Sequence, residues 1–555
     1  MVLTVAIAPS PVAAHPPPLP EHGLDPATFY ALWSGDTDQT GGSANTTGSF
    51  DHPVERLAAS TDIPFNDPPD EVDYWNRQDR RDLPPTDVNT SIYPSAANRT
   101  QGEFIRDAYV SIFATQPSTW AYLSTDEPRQ YVSPVGELLG SADYRLAVPE
   151  NSNTTDRRIR WGLESHRYNK STLQVDERVV SQAPGGRTPQ FAYSLREYPG
   201  RTHTLTLSVQ INVTFSRHVR QCRGYNEDLY CTNWTNHTTY PTEEISLTDS
   251  VTVTEYSLAI SGQRARYPNG DLGLVVTASA PWRGYSVPGG DVSGVWRFYT
   301  ARDQDWDTLT ITNASHSRRI HSPVHPLQVY AYPTSLGATA SPRRSVSVLE
   351  TDGQNRSMPS LPDEIRLDVP NESYTTTASI VSRIHSSTDE SIPLSAVAGH
   401  GLVRGVSAAV NPTAFEETPI HRSNLSIELE TTPEGPHTVH ARLEDANTGD
   451  PIETATRSGT LTVADQHIDT GPDGTATLTV SQARSDVSAR FEPGPWWRIE
   501  TGYVGDSDVA IAGGTSLSFG RAAAQLFVPI SLFLLAVFLI DRITGWPLWP
   551  PWRGL

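Results

Sequence analysis

Long stretches in which apolar and polar residues alternate are the feature that most restricts how this chain can fold. The clearest are His203–Phe215, Ser250–Gly262, Leu272–Ser279 and Gly294–Ala301, which are rich in Val, Leu, Ile, Thr and Tyr. A period of two places successive side chains on opposite faces of a strand and is typical of half-buried antiparallel sheets. We therefore predict a mainly β fold, with a large β-rich domain over residues 101–345.

A second group of alternating segments follows Asn424. Turn-forming sequences at Asp445–Pro451 and Gly471–Gly474 divide these segments. This spacing predicts a β-sandwich of about seven short strands over residues 423–496. Phe104–Phe113, in contrast, suits a helix and a strand equally well.

The two ends of the chain predict its topology. Ala522–Ile540 is an apolar run of 19 residues without a charge, long enough to span the roughly 30 Å core of a bilayer as a helix. The flanking Trp546, Trp549 and Trp552 are typical of a membrane interface. At the other end, an apolar run and small residues up to Ala14 favour a signal peptide, with a disordered tail as the alternative. Together they predict a single-pass type I membrane protein with its ectodomain outside the cell.

Asparagine sequons are more frequent than chance predicts. They include 12 of the 19 asparagines, whereas about four would be expected from the Ser and Thr content. None lies in the apolar C-terminal segment, which agrees with an external ectodomain. The predicted glycosylation sites are Asn45, Asn89, Asn98, Asn153, Asn169, Asn212, Asn233, Asn236, Asn313, Asn355, Asn371 and Asn424.

Cys222 and Cys231 are the only cysteines, and a Gly and several turn-forming residues lie between them. This spacing predicts a disulfide across the neck of a β-hairpin, formed in an oxidising compartment. Zinc binding is the weaker alternative, because two thiols so placed lack the further Cys or His ligands that zinc requires.

The charge distribution indicates the environment of the protein. The formal net charge is −21, and Lys170 is the only lysine beside 41 arginines. An acidic surface stays soluble in strong brine, which points to a halophilic archaeon, although codon bias in a GC-rich genome also replaces lysine by arginine. Nucleic-acid binding is not expected, because it needs clustered cations.

No catalytic motif is present, and we predict no cofactor and no metal site. His15 would form a copper-binding N-terminus if the signal peptide were cleaved after Ala14, but no other ligand supports this alternative. His316, His321 and His325 lie close in sequence, yet the intervening arginines disfavour a divalent metal.

Tryptophans and tyrosines offer a weaker suggestion of a binding surface. Trp234 lies between Tyr230 and Tyr240, and three more tryptophans follow in the neighbouring strand-like segments. An exposed adhesive face and an aromatic core are the two alternatives, and the core is favoured because large aromatic side chains are mostly buried. The three further residues are Trp282, Trp296 and Trp306.

The predicted organisation is a multidomain β-sandwich ectodomain followed by one C-terminal transmembrane α-helix. Its segments are a signal peptide (1–14), an irregular N-terminal region (15–100), the large β-rich domain (101–345), a connector with a small β region (346–422), an immunoglobulin-like β-sandwich (423–496), a juxtamembrane segment (497–521), the transmembrane helix (522–540) and a short cytoplasmic tail (541–555).

Two resemblances extend this interpretation. Asp445–Ala455 and Thr470–Val480 make the C-terminal module similar to bacterial immunoglobulin-like and carboxypeptidase-regulatory-like modules, which implies a non-catalytic stalk. Leu32–Asp36, Ala265–Val276 and Gly294–Asp307, with the final FLIDRITGW and WPPWRGL sequences, make the whole chain resemble an uncharacterised family of haloarchaeal membrane-anchored surface proteins. The second resemblance implies a cell-surface setting and no known activity.

These observations favour a non-enzymatic surface protein that mediates adhesion to, or another contact with, a surface protein or a glycan. A spike-like or conjugation-associated component of a mobile element or virus is the first alternative. A secreted membrane-anchored hydrolase or copper protein is the second.

We expect the mature protein to partition with membranes and to have a mass above that of its polypeptide, because of the predicted helix and glycans. Mass spectrometry of separated membrane and soluble fractions tests both. An unmodified soluble chain that begins at Met1 would contradict the topology.

Overall fold

The computed structural model describes residues 84, 86–123, 128–228, 230–323, 326–333, 337–343, 345–357, 373–385, 394–403, 406–411, 413, 415–431, 435–456, 459–481 and 486–511. The predicted signal peptide, most of the irregular N-terminal region and the predicted transmembrane helix lie outside these residues. Among the helices of the described part, none has the length and apolarity needed to cross a membrane.

The described residues are mainly β-strand, and their helical elements are short 3₁₀ turns, as the period-two alternation predicts. For Phe104–Phe113, a helix and a strand were the two alternatives, and the structure shows a strand from Ile105 onward. The predicted stretch Ser250–Gly262 contains the end of one strand and the start of another. The break begins at Tyr256, whose ring packs against Tyr131.

The strands are numbered in chain order. In the first part of the chain they are β1 (Ser91–Pro94), β2 (Ile105–Tyr122), β3 (Pro128–Leu146), β4 (Ser152–Asn153), β5 (Arg157–Val175), β6 (Arg178–Pro184), β7 (Gln190–Ser194), β8 (Thr202–Tyr225), β9 (Cys231–Thr239) and β10 (Thr242–Glu255).

The middle of the chain contains shorter strands. They are β11 (Ile260–Arg266), β12 (Leu272–Ala278), β13 (Trp282–Val287), β14 (Gly290–Ser293), β15 (Trp296–Arg302), β16 (Thr308–Thr312), β17 (Ser317–His321), β18 (Leu327–Pro333), β19 (Thr339–Ser341), β20 (Val346–Asp352), β21 (Asn355–Arg356), β22 (Tyr374–Thr375), β23 (Ser379–Ile384), β24 (Ala398–Gly401) and β25 (Ser407–Ala409).

The last described part adds eight strands. They are β26 (Phe415–Glu430), β27 (His437–Asp445), β28 (Gly459–Val463), β29 (Gln466–Ile468), β30 (Thr475–Val480), β31 (Asp486–Pro493), β32 (Gly502–Val504) and β33 (Asp506–Ile511). The 3₁₀ turns are Gln304–Trp306, Leu394–Ala396, Thr454–Thr456 and Trp496–Arg498.

The chain divides into two compact units. Of the described residues, those up to Ser261, those of Val276–Ser382 and those between 392 and 414 belong to the first unit, and those of Gly262–Val275, those between 383 and 391 and those from Phe415 onward belong to the second. Each is described separately below.

A large sheet forms the main part of the first unit. Its strand order is β15-β18-β2-β3-β10-β8-β5-β4, and β6, β7 and β9 pair with β5, β3 and β8. Strand β8 is the longest described, and along it alternate side chains point into a core that also takes residues from β2, β3 and β5. The fully buried residues of β8 are Leu205, Leu207, Val209, Ile211, Val213 and Phe215.

A second, more aromatic core lies in the same unit. Trp296 from β15 and Tyr374 from β22 meet Tyr131 and Tyr256 near the ends of β3 and β10. A five-stranded sheet with the order β19-β14-β13-β24-β25 belongs to this part of the unit.

The second unit contains the strands predicted near the C-terminus. β26 pairs with β27 and β27 with β30, while β28, β29, β31 and β33 form another sheet. Leu443, Leu461 and Phe491 are buried in the core that these strands share. The predicted turn at Gly471–Gly474 is present, and Gly474 has φ +73°, a conformation that favours glycine. β26 runs across the boundary predicted between residues 422 and 423.

A buried carboxylate lies beside the main core. Asp143 accepts hydrogen bonds from the backbone N–H of Ile92 at 3.1 Å and of Tyr144 at 2.9 Å, and it pairs with Arg187 at 3.3 Å. Burial nevertheless raises the pKa of Asp143 to about 6, and Arg187 and the hydrogen bonds act in the opposite direction. The protein therefore bears a cost for ionising this group at neutral pH.

Replacing this group should change how stability depends on pH. Because the folded pKa of Asp143 is raised, its contribution is fully present below the unfolded value of about 4 and is lost as pH rises through about 6. Between pH 4 and pH 7, the free energy of unfolding of Asp143→Asn should therefore rise relative to that of wild type, by on the order of 3 kcal/mol. Urea unfolding across this range measures it. The exposed Asp228→Asn variant is the control, and a constant difference for Asp143→Asn would contradict the assignment.

Candidate functional site

The candidate site begins where three strands of the large sheet end together. Tyr131 of β3, Thr254 of β10 and Thr202 of β8 lie opposite one another in register. The backbone N–H of Glu255 donates to the carbonyl of Arg201 at 2.6 Å, which holds the start of β8 against the end of β10. This alignment brings residues that are distant in sequence to one edge of a cavity.

Aromatic side chains form the buried wall of this cavity. The Tyr131 and Tyr256 rings meet edge to face with centroids 5.4 Å apart, and Trp296 and Tyr374 complete the wall. The Tyr256 hydroxyl donates to the carbonyl of Pro281 at 2.7 Å, which fixes one end of the wall. Such hydrogen-bonded aromatic residues give the cavity a rigid shape.

Arginines surround the opening. Arg129, Arg201 and Arg356 are exposed and line a cavity of about 630 Å³. Burial raises the pKa of Tyr131, and the positive charges of Arg129 and Arg201 act in the opposite direction. Within the part of the chain that the structure describes, none of the three arginines forms an ion pair. The arginines outnumber Glu255, the one carboxylate among the lining residues.

The three guanidinium groups give the opening a chemistry that suits an anion. Guanidinium groups make paired hydrogen bonds to carboxylates, sulfates and phosphates, and the cavity has the size of small-molecule sites. Glu255 has no carboxylate partner among the lining residues, whereas most glycosidases use two carboxyl groups. The lining residues also lack His and Cys, and no group of three possible metal ligands occurs among the described residues.

The disulfide predicted from the sequence is confirmed. Cys222 in β8 and Cys231 in β9 are bonded with their Cα atoms 5.8 Å apart, and the two strands form an antiparallel hairpin. The disulfide lies at the end of β8 opposite to the cavity.

The sequon asparagines of the described residues are nearly all at the surface. Asn212 is half-buried, and Asn45 and Asn371 lie outside the described residues. Glycosylation stays a prediction, but most of these positions have room for a glycan. The exposed ones are Asn89, Asn98, Asn153, Asn169, Asn233, Asn236, Asn313, Asn355 and Asn424.

The aromatic residues divide between the two alternatives. Trp282, Trp296 and Trp306 are almost completely buried, so the adhesive-face alternative is wrong for them and the core alternative is confirmed. Tyr230 and Tyr240 are 72% and 63% exposed. His316 and His321 are exposed, and His325 lies outside the described residues.

The arginines of the cavity are not recognisable in the sequence. Arg129, Arg201 and Arg356 belong to no motif; Arg129 lies in β3, Arg356 in β21, and Arg201 just before β8. Trp296 was singled out, with a core position favoured over an exposed face, and not as part of a cavity. The pairing of β3, β8 and β10 brings Arg129 and Arg201 together, and only the tertiary structure adds Arg356 of β21 to the same cavity.

The described residues form a mainly β, multidomain protein with an arginine-lined cavity. The chain belongs to a family described as a domain of unknown function, DUF8186. Its N-terminal domain matches residues 81–256, its central domain residues 260–411 and its C-terminal domain residues 420–510. No curated protein matches the chain.

Solved structures show only distant similarity. Native alpha-2-macroglobulin from Escherichia coli, spanning domains MG0-NIE-MG1, is 6% identical with a TM-score of 0.10, over 69% of this chain and 94% of that one. SGBP-B of the Bacteroides ovatus mixed-linkage glucan utilization locus, in complex with a mixed-linkage heptasaccharide, is 9% identical with a TM-score of 0.11, over 72% and 93%. Such scores do not establish a shared architecture.

The aromatic wall should depend on the Tyr256 hydroxyl, which donates to Pro281 and accepts from the backbone of Leu402. We expect Tyr256→Phe to lower the free energy of unfolding by about 1–3 kcal/mol, because buried partners lose hydrogen bonds. Chemical denaturation measures the change. The exposed Tyr230→Phe should be neutral, and equal effects of the two variants would show that the wall does not rely on this hydroxyl.

Proposed function

We propose that this chain is a non-enzymatic, glycosylated, single-pass surface protein of a halophilic archaeon, and that its first unit binds an acidic glycan. The observation that carries the proposal is the arginine-lined cavity. Arg129, Arg201 and Arg356 surround it without an ion pair among the described residues, in a chain whose net charge is −21. In such a chain, carboxylates are abundant and unpaired arginines need an explanation.

The shape and chemistry of the cavity support a carboxylated saccharide as the ligand. Guanidinium groups at the opening would pair with carboxylates, while the buried aromatic residues Tyr131, Tyr256 and Trp296 would keep the floor of the cavity rigid. A volume of about 630 Å³ is sufficient for a short oligosaccharide.

The cell-surface setting rests on separate features of the chain. The apolar segment Ala522–Ile540 would anchor it, and the sequons and the disulfide suit the outside of a cell. We also propose that the strands after residue 423 form an immunoglobulin-like stalk, and that the relatives of this chain are haloarchaeal surface proteins. The resemblances described above support both points.

Binding of a short acidic saccharide tests the proposed function. We expect the full chain to bind trigalacturonic acid and to bind maltotriose, a neutral trisaccharide, at least about tenfold more weakly. The double variant Arg129→Gln/Arg201→Gln should weaken binding of trigalacturonic acid by about tenfold per arginine, the factor expected for a lost charged hydrogen bond. Isothermal titration calorimetry measures all of these affinities.

A matched control separates the cavity from general charge effects. Arg196 and Arg319 are exposed arginines away from the cavity, and Arg196→Gln/Arg319→Gln changes the net charge by the same amount. This variant should bind like the wild type. Equal affinity for the neutral sugar, or unchanged binding by the cavity variant, would refute the proposed function.

A further inference from the structure

A cationic surface lies on the outer face of the large sheet, away from the cavity. Along β5, the outward-facing side chains include Arg158, Arg160, Arg167 and Lys170, and Arg220 of β8 lies directly opposite Arg158. These five residues are called the cationic face below. Their opposite sheet face packs against the main core, as the buried side chains of β8 show.

The register of the strands places these charges together. Arg158 pairs with Arg220, Arg167 with Asn212 and Lys170 with Gln210. Asn212 is a predicted glycosylation site on this face, so binding along it requires that Asn212 carries no glycan. Directly paired residues point to the same side of a sheet, and like charges placed opposite each other destabilise it. Because β5 has two bulges in this range, the positions from Arg158 to Lys170 lie opposite Arg220 to Gln210 of β8, ten residue steps or about 33 Å at the rise of a strand.

Carboxylates do not neutralise this face. Among the described residues, none of its five cationic side chains forms an ion pair. Glu244, opposite Asn212, is the outward carboxylate on the adjacent β10, and Glu164 lies at a bulge of β5. Two of the arginines have a structural contact, since Arg158 and Arg220 lie 4.9 Å and 5.3 Å from the ring centroid of Trp234. The remaining three have no such role.

The charges of the whole chain make this concentration unusual. Residues 420–510 contain 15 acidic and 6 basic residues, whereas residues 81–256 contain 20 acidic and 17 basic. In residues 81–256, the 17 cations therefore offset most of the carboxylates. Five of these cations lie on the cationic face.

We propose that the cationic face binds a linear acidic polysaccharide along β5. The charges lie along the paired strands β5 and β8 over about 33 Å, which matches an extended chain better than a globular partner. Protein interfaces have an apolar core, whereas the outward neighbours of these cations are polar, such as Gln210, Ser216 and Thr214. Duplex DNA carries one negative charge per about 1.7 Å, a much higher charge density than that of the five cations on this face. A polymer with one carboxylate per sugar has more widely spaced charges and therefore matches the face better.

This surface is distinct from the proposed pocket. Arg201 of the cavity comes just before the start of β8, and Arg220 of the cationic face lies near the end of that strand. The two sites are therefore separable by mutation, and failure of one does not imply failure of the other.

The test uses the full chain and polygalacturonate, a linear polymer with one carboxylate per sugar. The variant Arg160→Gln/Arg167→Gln/Lys170→Gln retains Arg158 and Arg220, so the contacts with Trp234 stay intact. We expect its affinity for polygalacturonate to fall at least about tenfold, and Arg160→Lys/Arg167→Lys to bind within about threefold of wild type, since lysine keeps the charge. Biolayer interferometry at two salt concentrations measures this, with dextran as the neutral polymer.

The matched control removes three exposed arginines elsewhere, as Arg196→Gln/Arg318→Gln/Arg319→Gln. This control should bind polygalacturonate like the wild type. If it lost as much affinity as the variant of the cationic face, the effect would be one of net charge alone and the proposal would be overturned. Unchanged binding by the face variant, or loss only in Arg129→Gln/Arg201→Gln, would also overturn it. So would tighter binding to a duplex DNA of 40 base pairs, or a dimer in light scattering that the face variant dissociates.

Discussion

Burial of one face of β8 is the interaction on which the rest of the structure depends. Its six fully buried side chains each contribute about 1.5–3 kcal/mol through removal of apolar surface from water. A shift of the register by one residue would place Thr, Ser and Gln in the core and expose the apolar side chains. The pairing of β8 with β5 and β10 is therefore strongly specified over most of its length. The buried residues are Leu205, Leu207, Val209, Ile211, Val213 and Phe215.

The same register determines both candidate binding surfaces. On the outer face it places Arg220 of β8 opposite Arg158 of β5, because directly paired residues share a side of the sheet. At the start of β8 it aligns Thr202 with Thr254, next to Tyr131, so that the arginines beside these strand ends surround one cavity. Packing that serves stability thus also assembles the sites.

Several features could be predicted from the sequence because they are local. The strands follow from the alternation, and the disulfide follows from the short spacing of Cys222 and Cys231 within a hairpin. The break after Glu255 was missed, because the alternation continues through Tyr256 although the strand does not. The cavity was missed as well, because Arg129, Arg201 and Arg356 acquire a common role only through contacts between distant strands.

The sequence by itself determined the mainly β character of the described residues, the hairpin disulfide and the charge of the chain, since each depends on residue type and near spacing. Membership of the DUF8186 family is likewise a property of the sequence. Only the tertiary structure decided which arginines lie together and which tryptophans are buried. The physical reason is that strand pairing is a long-range interaction, and the order of strands in a sheet does not follow from their order in the chain.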